Sequence, residues 1–240
     1  MRYFYAIYAV ITFVLLFLIF FPLFIILSFF KAWGRKAIWR IIQIWSYIWF
    51  FLIAMPVRRE YIQRPDKKKQ YIVVGNHWSY LDTAMIFRAI PFYARPLAKF
   101  ELTKIPLFGF LYKTMAVVVD RSNPESRIKS LHLLKHTIEV EKTSIFIFPE
   151  GTFNETTEPL KSFYDGAFRM AIQTQTPILP ILFPDTKKRW HYSSFWAWSA
   201  GISRAVFLPE IDVTGYTTED LPALRDKVQE IMRRGMLDVD

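Results

Sequence analysis

The feature that most constrains this chain is an uncharged, strongly apolar stretch that runs from Tyr3 to Phe30. Its 28 residues contain no Asp, Glu, Lys or Arg, and about 20 apolar residues are enough for a helix to cross a bilayer. Pro22 removes a backbone donor and clashes with the preceding turn, so we expect a kink or a break there. The stretch is longer than the apolar core of a signal peptide, and no small-residue cleavage site follows it. It predicts a membrane helix; the alternative is a buried hydrophobic hairpin of a soluble protein.

Basic and aromatic residues follow this stretch. The segment KAWGRKAIWR, residues 31–40, mixes cations with tryptophans, a combination that suits the lipid headgroup layer. A second uncharged run, Ile41–Val57, is short for a span and either crosses the bilayer or lies in one leaflet against the first helix. Cations at both of its ends favour the second arrangement, with both basic clusters on the cytoplasmic side. We therefore predict that residues 1–70 form a membrane anchor of hydrophobic helices with basic flanks.

The distribution of charge points to lipid rather than nucleic acid. Residues 1–70 carry 11 Lys and Arg against 2 Asp and Glu, whereas residues 71–240 carry 20 against 19. A basic excess can indicate nucleic-acid binding, but these cations stand among apolar and aromatic residues, so we predict a bilayer and no nucleic acid as partner. The sequence contains no cysteine, which excludes disulfides, thiolate metal sites and a cysteine nucleophile.

Residues 71–240 alternate short β-rich runs with helical patterns, which predicts an α/β domain with a central, mostly parallel β-sheet flanked by helices. The predicted strands are Tyr71–Gly75, Tyr93–Ala98, Met115–Asp120, Ser144–Phe148, Ile178–Phe183 and Ser203–Leu208. The predicted helices are Tyr80–Ala89, Ile105–Lys113, Glu125–Glu141, Gly166–Gln173 and Glu219–Arg234, the last ending at Gly235. Residues 185–202, which we call the aromatic loop, fit neither period. They either touch lipid or fold back on the core.

The segment GNHWSYLDTAMIF, residues 75–87, carries the first candidates for catalysis. In a regular helix His77 and Asp82 would stand about 140° apart around the axis and would not meet. They can meet if His77 lies in the turn after a strand and Asp82 in the first turn of a helix, a start that Ser79 as N-cap would favour. A carboxylate that orients an imidazole is the arrangement of a histidine general base. The alternatives are that Asp82 only caps the helix and that His77 is a hydrogen-bonded loop residue.

Two further segments place polar residues at the ends of apolar strands. Arg121 follows the run VVVD, where its guanidinium can bind a phosphate or pair with a neighbouring carboxylate. In FPEGT, residues 148–152, the proline and Gly151 predict a sharp turn with backbone N–H groups facing a ligand. Glu150 then holds a substrate hydroxyl, orients a basic residue such as Arg121, or is an exposed turn carboxylate.

Together these segments resemble the signature blocks of the glycerolipid acyltransferases, the family of 1-acyl-glycerol-3-phosphate acyltransferases and related lysophospholipid acyltransferases. The segment from Asn76 to Asp82 matches the NHxxxxD block, and residues 99–121, FPEGT and PILPI (177–181) follow in the family's order. The resemblance implies that His77 is a general base and that Asp82 orients it. It also implies that the glycerol-phosphate part of the acceptor is bound by Lys99, Arg121, Glu150, Gly151 and Thr152.

The resemblance further implies a membrane-bound O-acyltransferase whose catalytic domain lies on the cytoplasmic face. It would move a fatty acyl group from a thioester of coenzyme A or acyl carrier protein to the sn-2 hydroxyl of 1-acyl-glycerol 3-phosphate or a related lysophospholipid, giving phosphatidic acid or a diacyl phospholipid. The family requires no cofactor and no metal. Two alternatives stay open: another acceptor, such as glycerol 3-phosphate or a lyso-aminolipid, and a non-catalytic membrane lipid-binding protein.

Two features lie outside the family pattern. Relatives often carry a lysine shortly before the glycine of LKSFYDGAFRMA, where this chain has Tyr164 and Asp165, and Lys161 is the candidate replacement for that cation. His132 and His136 stand four residues apart on a predicted helix, the spacing of a metal-binding pair. Since no clear further ligand accompanies them, we interpret them as part of a solvated helix face.

Overall fold

The computed structural model describes residues 2–120 and 124–239. The chain divides into two compact units, each assembled from separate segments. The first comprises Met1–Glu60, His77–Pro91 and Phe183–Ala205, and the second comprises Tyr61–Asn76, Phe92–Leu182 and Val206–Asp240. The predicted division at residue 70, into a membrane anchor and an α/β domain, stays a prediction.

Two long helices, α1 (Arg2–Ser28) and α2 (Lys31–Leu52), pack against each other as a hairpin in the first unit. Near the open end of the hairpin, the Trp49 indole N–H donates to the Ala9 carbonyl at 3.0 Å. Near its closed end, a Cβ on Gly34 would lie 1.9 Å from the carbonyl oxygen of Leu27, so only glycine permits this approach. α1 continues through Pro22, which lies inside the helix without ending it.

Within the described part of the chain, α1 is the one helix that is long and apolar enough to cross a membrane. Only 17% of its most apolar window is buried, which speaks against the alternative of a buried hydrophobic hairpin. α2 begins among the basic residues and ends at Leu52, so the uncharged run Ile41–Val57 is not a single helix. The buried residues of α2 lie on one face of the helix, as in an amphipathic helix. They are Gly34, Ile38, Trp39, Ile42, Trp45, Ser46, Trp49 and Phe50.

A second helix of the first unit packs on α2. The helix α3 (Leu81–Ala89) lies against it, with the Trp39 and Phe87 rings 5.0 Å apart between centroids. The Gln43 amide donates to the carbonyl of Ile90 at 2.8 Å, directly after α3. The aromatic loop contains the short helix α7 (Thr186–Arg189), which the sequence pattern does not predict.

Seven strands form a mixed sheet among the described residues, in the order β1-β7-β6-β2-β5-β3-β4. β2 pairs in parallel with β5 and β6, β3 pairs in parallel with β4 and β5, and β7 is antiparallel to β6. The predicted mostly parallel sheet is therefore confirmed. The strands are β1 (Val57–Tyr61), β2 (Ile72–Gly75), β3 (Ala94–Lys99), β4 (Val117–Val119), β5 (Ser144–Ile147), β6 (Ile178–Leu182) and β7 (Ser203–Phe207).

Burial explains which strands the sequence predicts. Every residue of β2, β5 and β6 is buried, as expected for parallel strands covered on both faces, and all of them are predicted. The strand β1 reads VRREY, and the sequence analysis assigns its arginines to a basic flank. The structure instead buries Val57, leaves Arg58 and Glu60 exposed, and half-buries Arg59 and Tyr61 in the alternation of a strand.

The helices of the second unit are α4 (Phe108–Met115), α5 (Pro124–Glu139), α6 (Gly166–Thr174) and α8 (Leu221–Val239), with short 3-10 helices at Phe100–Lys104 and Thr218–Asp220. The predicted end of α8 at Gly235 is wrong, because the helix continues to Val239. A Cβ at Gly235 would lie 2.9 Å from Leu182 Cδ1 and 3.1 Å from Leu208 Cδ2. This glycine lets the helix approach the sheet rather than ending it.

Candidate active site

His77 and Asp82 are in direct contact. β2 ends at Gly75, residues 76–80 form an irregular turn, and α3 begins at Leu81 with Asp82 in its first turn. His77 Nδ1 lies 2.9 Å from Asp82 Oδ2. This is the placement under which the sequence analysis expects the two residues to meet.

The carboxylate of Asp82 also shapes the turn before the helix. Its Oδ2 atom accepts the backbone N–H groups of Trp78 and Ser79, both at 2.7 Å, while Ser79 Oγ accepts from the backbone of Leu81 at 3.1 Å. Tyr80, directly before Leu81, already has helical backbone angles and forms no side-chain cap. The bonds at Ser79 are those of a capping box, so the predicted cap at Ser79 with Asp82 three residues later is confirmed. Asp82 thus both organises the helix start and contacts the imidazole, and the two interpretations of this residue do not exclude each other.

Burial distinguishes the two members of the pair. The Asp82 side chain is fully buried, whereas 16% of the His77 side chain is exposed. A neutral histidine that donates Nδ1–H to a carboxylate carries its lone pair on Nε2. The contact therefore favours the tautomer in which Nε2 is the basic nitrogen.

The aromatic loop supports the same turn from within the first unit. Ser79 Oγ donates to the backbone carbonyl of Trp190 at 2.5 Å, and the Tyr80 and Trp190 rings are 5.1 Å apart between centroids. Lys187 Nζ lies 5.3 Å from the centroid of the Trp78 ring. Sequence reasoning missed these partners, because no periodic pattern links residues that are 111 positions apart.

An ion pair closes the base of the aromatic loop. Asp185 Oδ2 accepts the backbone N–H of Arg204 at 2.8 Å and its Nε–H at 2.9 Å, and Oδ1 accepts from Nη2 at 2.9 Å. Burial acts to raise the pKa of Asp185, but the hydrogen bonds from Arg204 outweigh it and hold the pKa below its ordinary value. The loop is therefore fixed at both of its ends by one charged pair.

The FPEGT segment forms the predicted sharp turn after β5 in the second unit. Gly151 has a φ of +73°, which favours glycine, and its N–H donates to the Phe148 carbonyl at 3.0 Å. Glu150 is fully buried and its Oε2 accepts the backbone N–H of Lys161 at 2.9 Å. The interpretation of Glu150 as an exposed turn carboxylate is therefore wrong.

Lys161 braces this turn with its side chain as well. Its Nζ donates to Thr152 Oγ1 at 2.9 Å, and Thr152 is exposed. Asp165, which stands near the position of the family's usual lysine, pairs with Arg225 at 2.9 Å. The replacement cation proposed from sequence thus contacts the FPEGT turn itself.

The remaining predicted binding residues also belong to the second unit. Lys99 is exposed and is the last residue of β3, whereas Arg121 lies outside the described residues. Because β2, β3 and β5 run parallel, their carboxyl ends meet at one edge of the sheet, so Asn76, Lys99 and the FPEGT turn belong to that edge. In α/β sheets of this kind, ligands bind outside the carboxyl ends of the strands.

The two histidines of α5 stand at the spacing of a metal-binding pair. His132 and His136 are both exposed on the helix. Among the residues with described placement, no group of three or more His, Cys, Asp or Glu is arranged to hold a metal ion. The exposure of both side chains agrees with a solvated helix face.

The sequence matches the model of a known protein family. The family model described as Acyltransferase matches residues 56–183, which is more than half of the chain. The chain belongs to the acyltransferase family. The matched range includes the NHxxxxD segment, the FPEGT turn and the strands that lead into both, so the resemblance stated from sequence is confirmed.

Curated relatives of this acyltransferase family member carry one recurring name. The human protein named 1-acyl-sn-glycerol-3-phosphate acyltransferase alpha is 31% identical over 168 residues, covering 68% of this chain and 57% of the human protein. The Haemophilus influenzae 1-acyl-sn-glycerol-3-phosphate acyltransferase is 28% identical over 190 residues, covering 79% and 78%. This chain thus spans little more than half the length of the human relative.

The fold of this acyltransferase is shared with a solved structure. The crystal structure of the 1-acyl-sn-glycerophosphate acyltransferase PlsC from Thermotoga maritima matches with a TM-score of 0.80 at 22% identity, covering 100% of this chain and 98% of that one. At this identity the match concerns the fold, and it confirms the predicted α/β architecture.

Proposed function

We propose that this chain is a membrane-bound 1-acyl-glycerol-3-phosphate O-acyltransferase. It transfers a fatty acyl group from an acyl thioester to the sn-2 hydroxyl of 1-acyl-glycerol 3-phosphate, or of a related lysophospholipid, and the product is phosphatidic acid or a diacyl phospholipid. The donor is acyl coenzyme A or an acyl carrier protein. The names of the relatives support the acceptor, and the family model supports the class of reaction.

The observation that carries the proposal is the contact between His77 and Asp82. A buried carboxylate 2.9 Å from Nδ1 orients the imidazole and stabilises the positive charge that it gains as a base. Because Asp82 is also held by two backbone N–H groups, it cannot turn away from the ring without breaking the helix start. Such a pair is pre-organised for proton transfer.

In the proposed reaction, Nε2 of His77 takes the proton of the acceptor hydroxyl while the hydroxyl oxygen attacks the thioester carbonyl. The tetrahedral intermediate collapses by breaking the carbon–sulfur bond. The thiolate leaves and takes up the proton from the imidazolium, which returns His77 to its neutral form. The acyl group passes directly from donor to acceptor, and no covalent enzyme intermediate forms. A cysteine nucleophile is not required, and the sequence contains no cysteine.

We assign acceptor binding to Lys99, Arg121 and the FPEGT turn, of which Lys99 and the turn belong to the carboxyl edge of the sheet. Lys99 and Arg121 supply positive charge for the phosphate. The N–H of Gly151 is used within the turn, so what this glycine contributes is close approach of the acceptor to the backbone. Thr152 supplies a hydroxyl, and Glu150 accepts a hydrogen bond from a glycerol hydroxyl.

The proposed location is the cytoplasmic face of a membrane. α1 has the length and composition of a span and exposes many of its apolar side chains. In the hairpin, residues 31–40 lie at the closed end and the basic residues 58–69 follow the open end, so a spanning hairpin puts the two clusters on opposite sides of the bilayer. We assign residues 58–69 to the cytoplasmic side, which cations prefer. Both the acceptor and the product are lipids, so a site at the bilayer surface avoids moving acyl chains into water.

The experiment is an acyl-transfer assay with purified full-length protein, a labelled acyl thioester and a panel of acceptors. The panel contains 1-acyl-glycerol 3-phosphate, glycerol 3-phosphate, a lyso-aminolipid and other lysophospholipids. We expect the first to give the highest kcat/KM and His77→Ala to abolish transfer without a change in the unfolding temperature. Full turnover by that variant would reject the mechanism, and no transfer to any acceptor would favour a non-catalytic lipid-binding protein.

A further inference from the structure

The aromatic loop has a defined tip. After α7, the backbone doubles back so that Trp190 and Trp198 form an antiparallel bridge, and their rings stack with centroids 4.0 Å apart. Residues 190–198, which we call the tip, are therefore closed at their base by two stacked indoles. The Asp185–Arg204 pair fixes the loop that carries them.

The tip buries one tryptophan and exposes another. Trp198 is 3% exposed, whereas Phe195 is 49% exposed and Trp196 is 41% exposed. Large aromatic side chains that face outward from a rigid base are costly in water, but they suit the boundary between lipid and water. The pattern therefore points to a partner with both apolar and polar parts.

Both the exposed and the buried tryptophan of the tip adjoin the hydrophobic hairpin. The rings of Trp196 and Tyr3 meet edge to face with centroids 5.3 Å apart, and those of Trp198 and Trp49 lie 6.3 Å apart. Tyr3 and Phe4 lie in the first turn of α1 and are themselves exposed. The outward aromatic surface of the tip is thus continuous with the exposed apolar surface of α1.

We propose that the tip of the aromatic loop is a second lipid-contacting element, in which Phe195 and Trp196 enter the headgroup layer of the bilayer that receives α1. This inference rests on the proposed function, because it requires α1 to be in a membrane. Lys187 and Lys188 precede the tip in α7 and place positive charge beside it, so the partner surface is one that contains anionic phospholipid.

The base of the tip contacts the turn that carries His77. Trp190 accepts the hydrogen bond from Ser79 and packs against Tyr80, two and three residues after His77. A tip seated in the headgroup layer therefore keeps the turn that carries His77 close to that surface. The lipid contact and the candidate base are linked through one loop of the first unit.

The experiment uses the absence of cysteine from the natural chain, which allows a single introduced thiol to be labelled. Phe195→Cys tests the tip, Ile19→Cys on the exposed surface of α1 is the positive control, and Val140→Cys, exposed just after α5, is the matched negative control. Each variant of the full chain receives an environment-sensitive fluorophore. It is then reconstituted into vesicles of equimolar phosphatidylcholine and phosphatidylglycerol that carry quenchers at shallow or deep positions.

We expect a blue-shifted emission at position 195, with more quenching by shallow than by deep quenchers, and strong quenching at position 19 by the deep ones. Quenching at position 195 no stronger than at position 140, with position 19 quenched, would overturn the lipid contact of the tip and leave the membrane anchor intact. Loss of quenching at position 19 would instead overturn the proposed membrane location, and the inference with it.

Discussion

His77 and Asp82 are joined through a single carboxylate oxygen, Oδ2, which lies 2.9 Å from Nδ1 of the imidazole. The same oxygen accepts the backbone N–H groups of the two residues that follow the histidine. The orientation of the candidate base and the start of α3 therefore depend on one buried atom. Replacement of Asp82 therefore affects both catalysis by His77 and the stability of the helix start, and kinetics and thermal unfolding measure the two effects separately.

We expect Asp82→Asn to lower kcat by about 10²–10⁴-fold, the range that a positioned general base contributes, because an amide cannot stabilise the imidazolium. The fold should survive, since the side-chain oxygen of asparagine still accepts the backbone N–H groups. Steady-state kinetics and a thermal melt measure the two effects. Asp226→Asn, an exposed aspartate of α8, is the matched control. Full activity of Asp82→Asn would mean that this residue is structural only.

Glu150→Gln should separate binding from folding in the FPEGT turn. Glutamine keeps an oxygen for the backbone N–H of Lys161, so we expect little change in the unfolding temperature. A hydrogen bond between a substrate hydroxyl and a carboxylate contributes about 1.5–3 kcal/mol, so kcat/KM for the acceptor should fall by about tenfold or more. The measurement is a titration of the acceptor at a fixed concentration of donor, with the exposed Glu155→Gln as control. An unchanged KM and kcat would remove Glu150 from the binding site.

The Asp185–Arg204 pair predicts a dependence of stability on pH. The pKa of Asp185 is held below its ordinary value of 3.8, so the pair contributes its full stability above that pH and loses it as the pH falls through the folded-state pKa. Asp185→Asn should lower the free energy of unfolding near neutral pH by about 1–3 kcal/mol and should flatten its decline below about pH 4. Melts of both proteins across pH test this, with Asp226→Asn as control. Parallel pH curves for Asp185→Asn and the unmodified chain would contradict it.

Gly34→Ala should destabilise the hydrophobic hairpin. The new Cβ would lie 1.9 Å from the Leu27 carbonyl oxygen, a contact that the backbone of α1 relieves only by moving away. Overpacking of this kind costs about 1–3 kcal/mol. Unfolding in detergent measures the loss, and the exposed Ala32→Leu, which adds more volume at a solvent-facing position of the same helix, should be close to neutral. Equal stability of both variants would show that the helices separate without cost.

Prediction from sequence succeeded where the local pattern and the environment agree. β2, β5 and β6 are short apolar runs, and their burial on both faces is the state that such runs predict. β1 was missed because three charged residues stand in a row in it, although only Arg58 and Glu60 lie on the accessible side and Arg59 is half-buried. Gly235 predicts a helix end, whereas the structure needs a glycine inside α8 where the helix approaches Leu182 and Leu208. In both cases the secondary structure depends on residues that are close in space but distant in sequence, and local propensity carries no information about them.

The sequence by itself determined the apolar helix α1, the alternation of strands and helices, and the position of His77, Asp82 and the FPEGT turn along the chain. These depend on composition, period and short-range backbone geometry. Only the tertiary structure decided that Glu150 is buried against the backbone of Lys161, that Trp190 supports the catalytic turn through Ser79, and that Trp196 adjoins Tyr3. The first two contacts form because buried polar groups are paired with hydrogen-bond partners, and the third forms because two aromatic rings pack edge to face. None of the three is visible in a local sequence pattern.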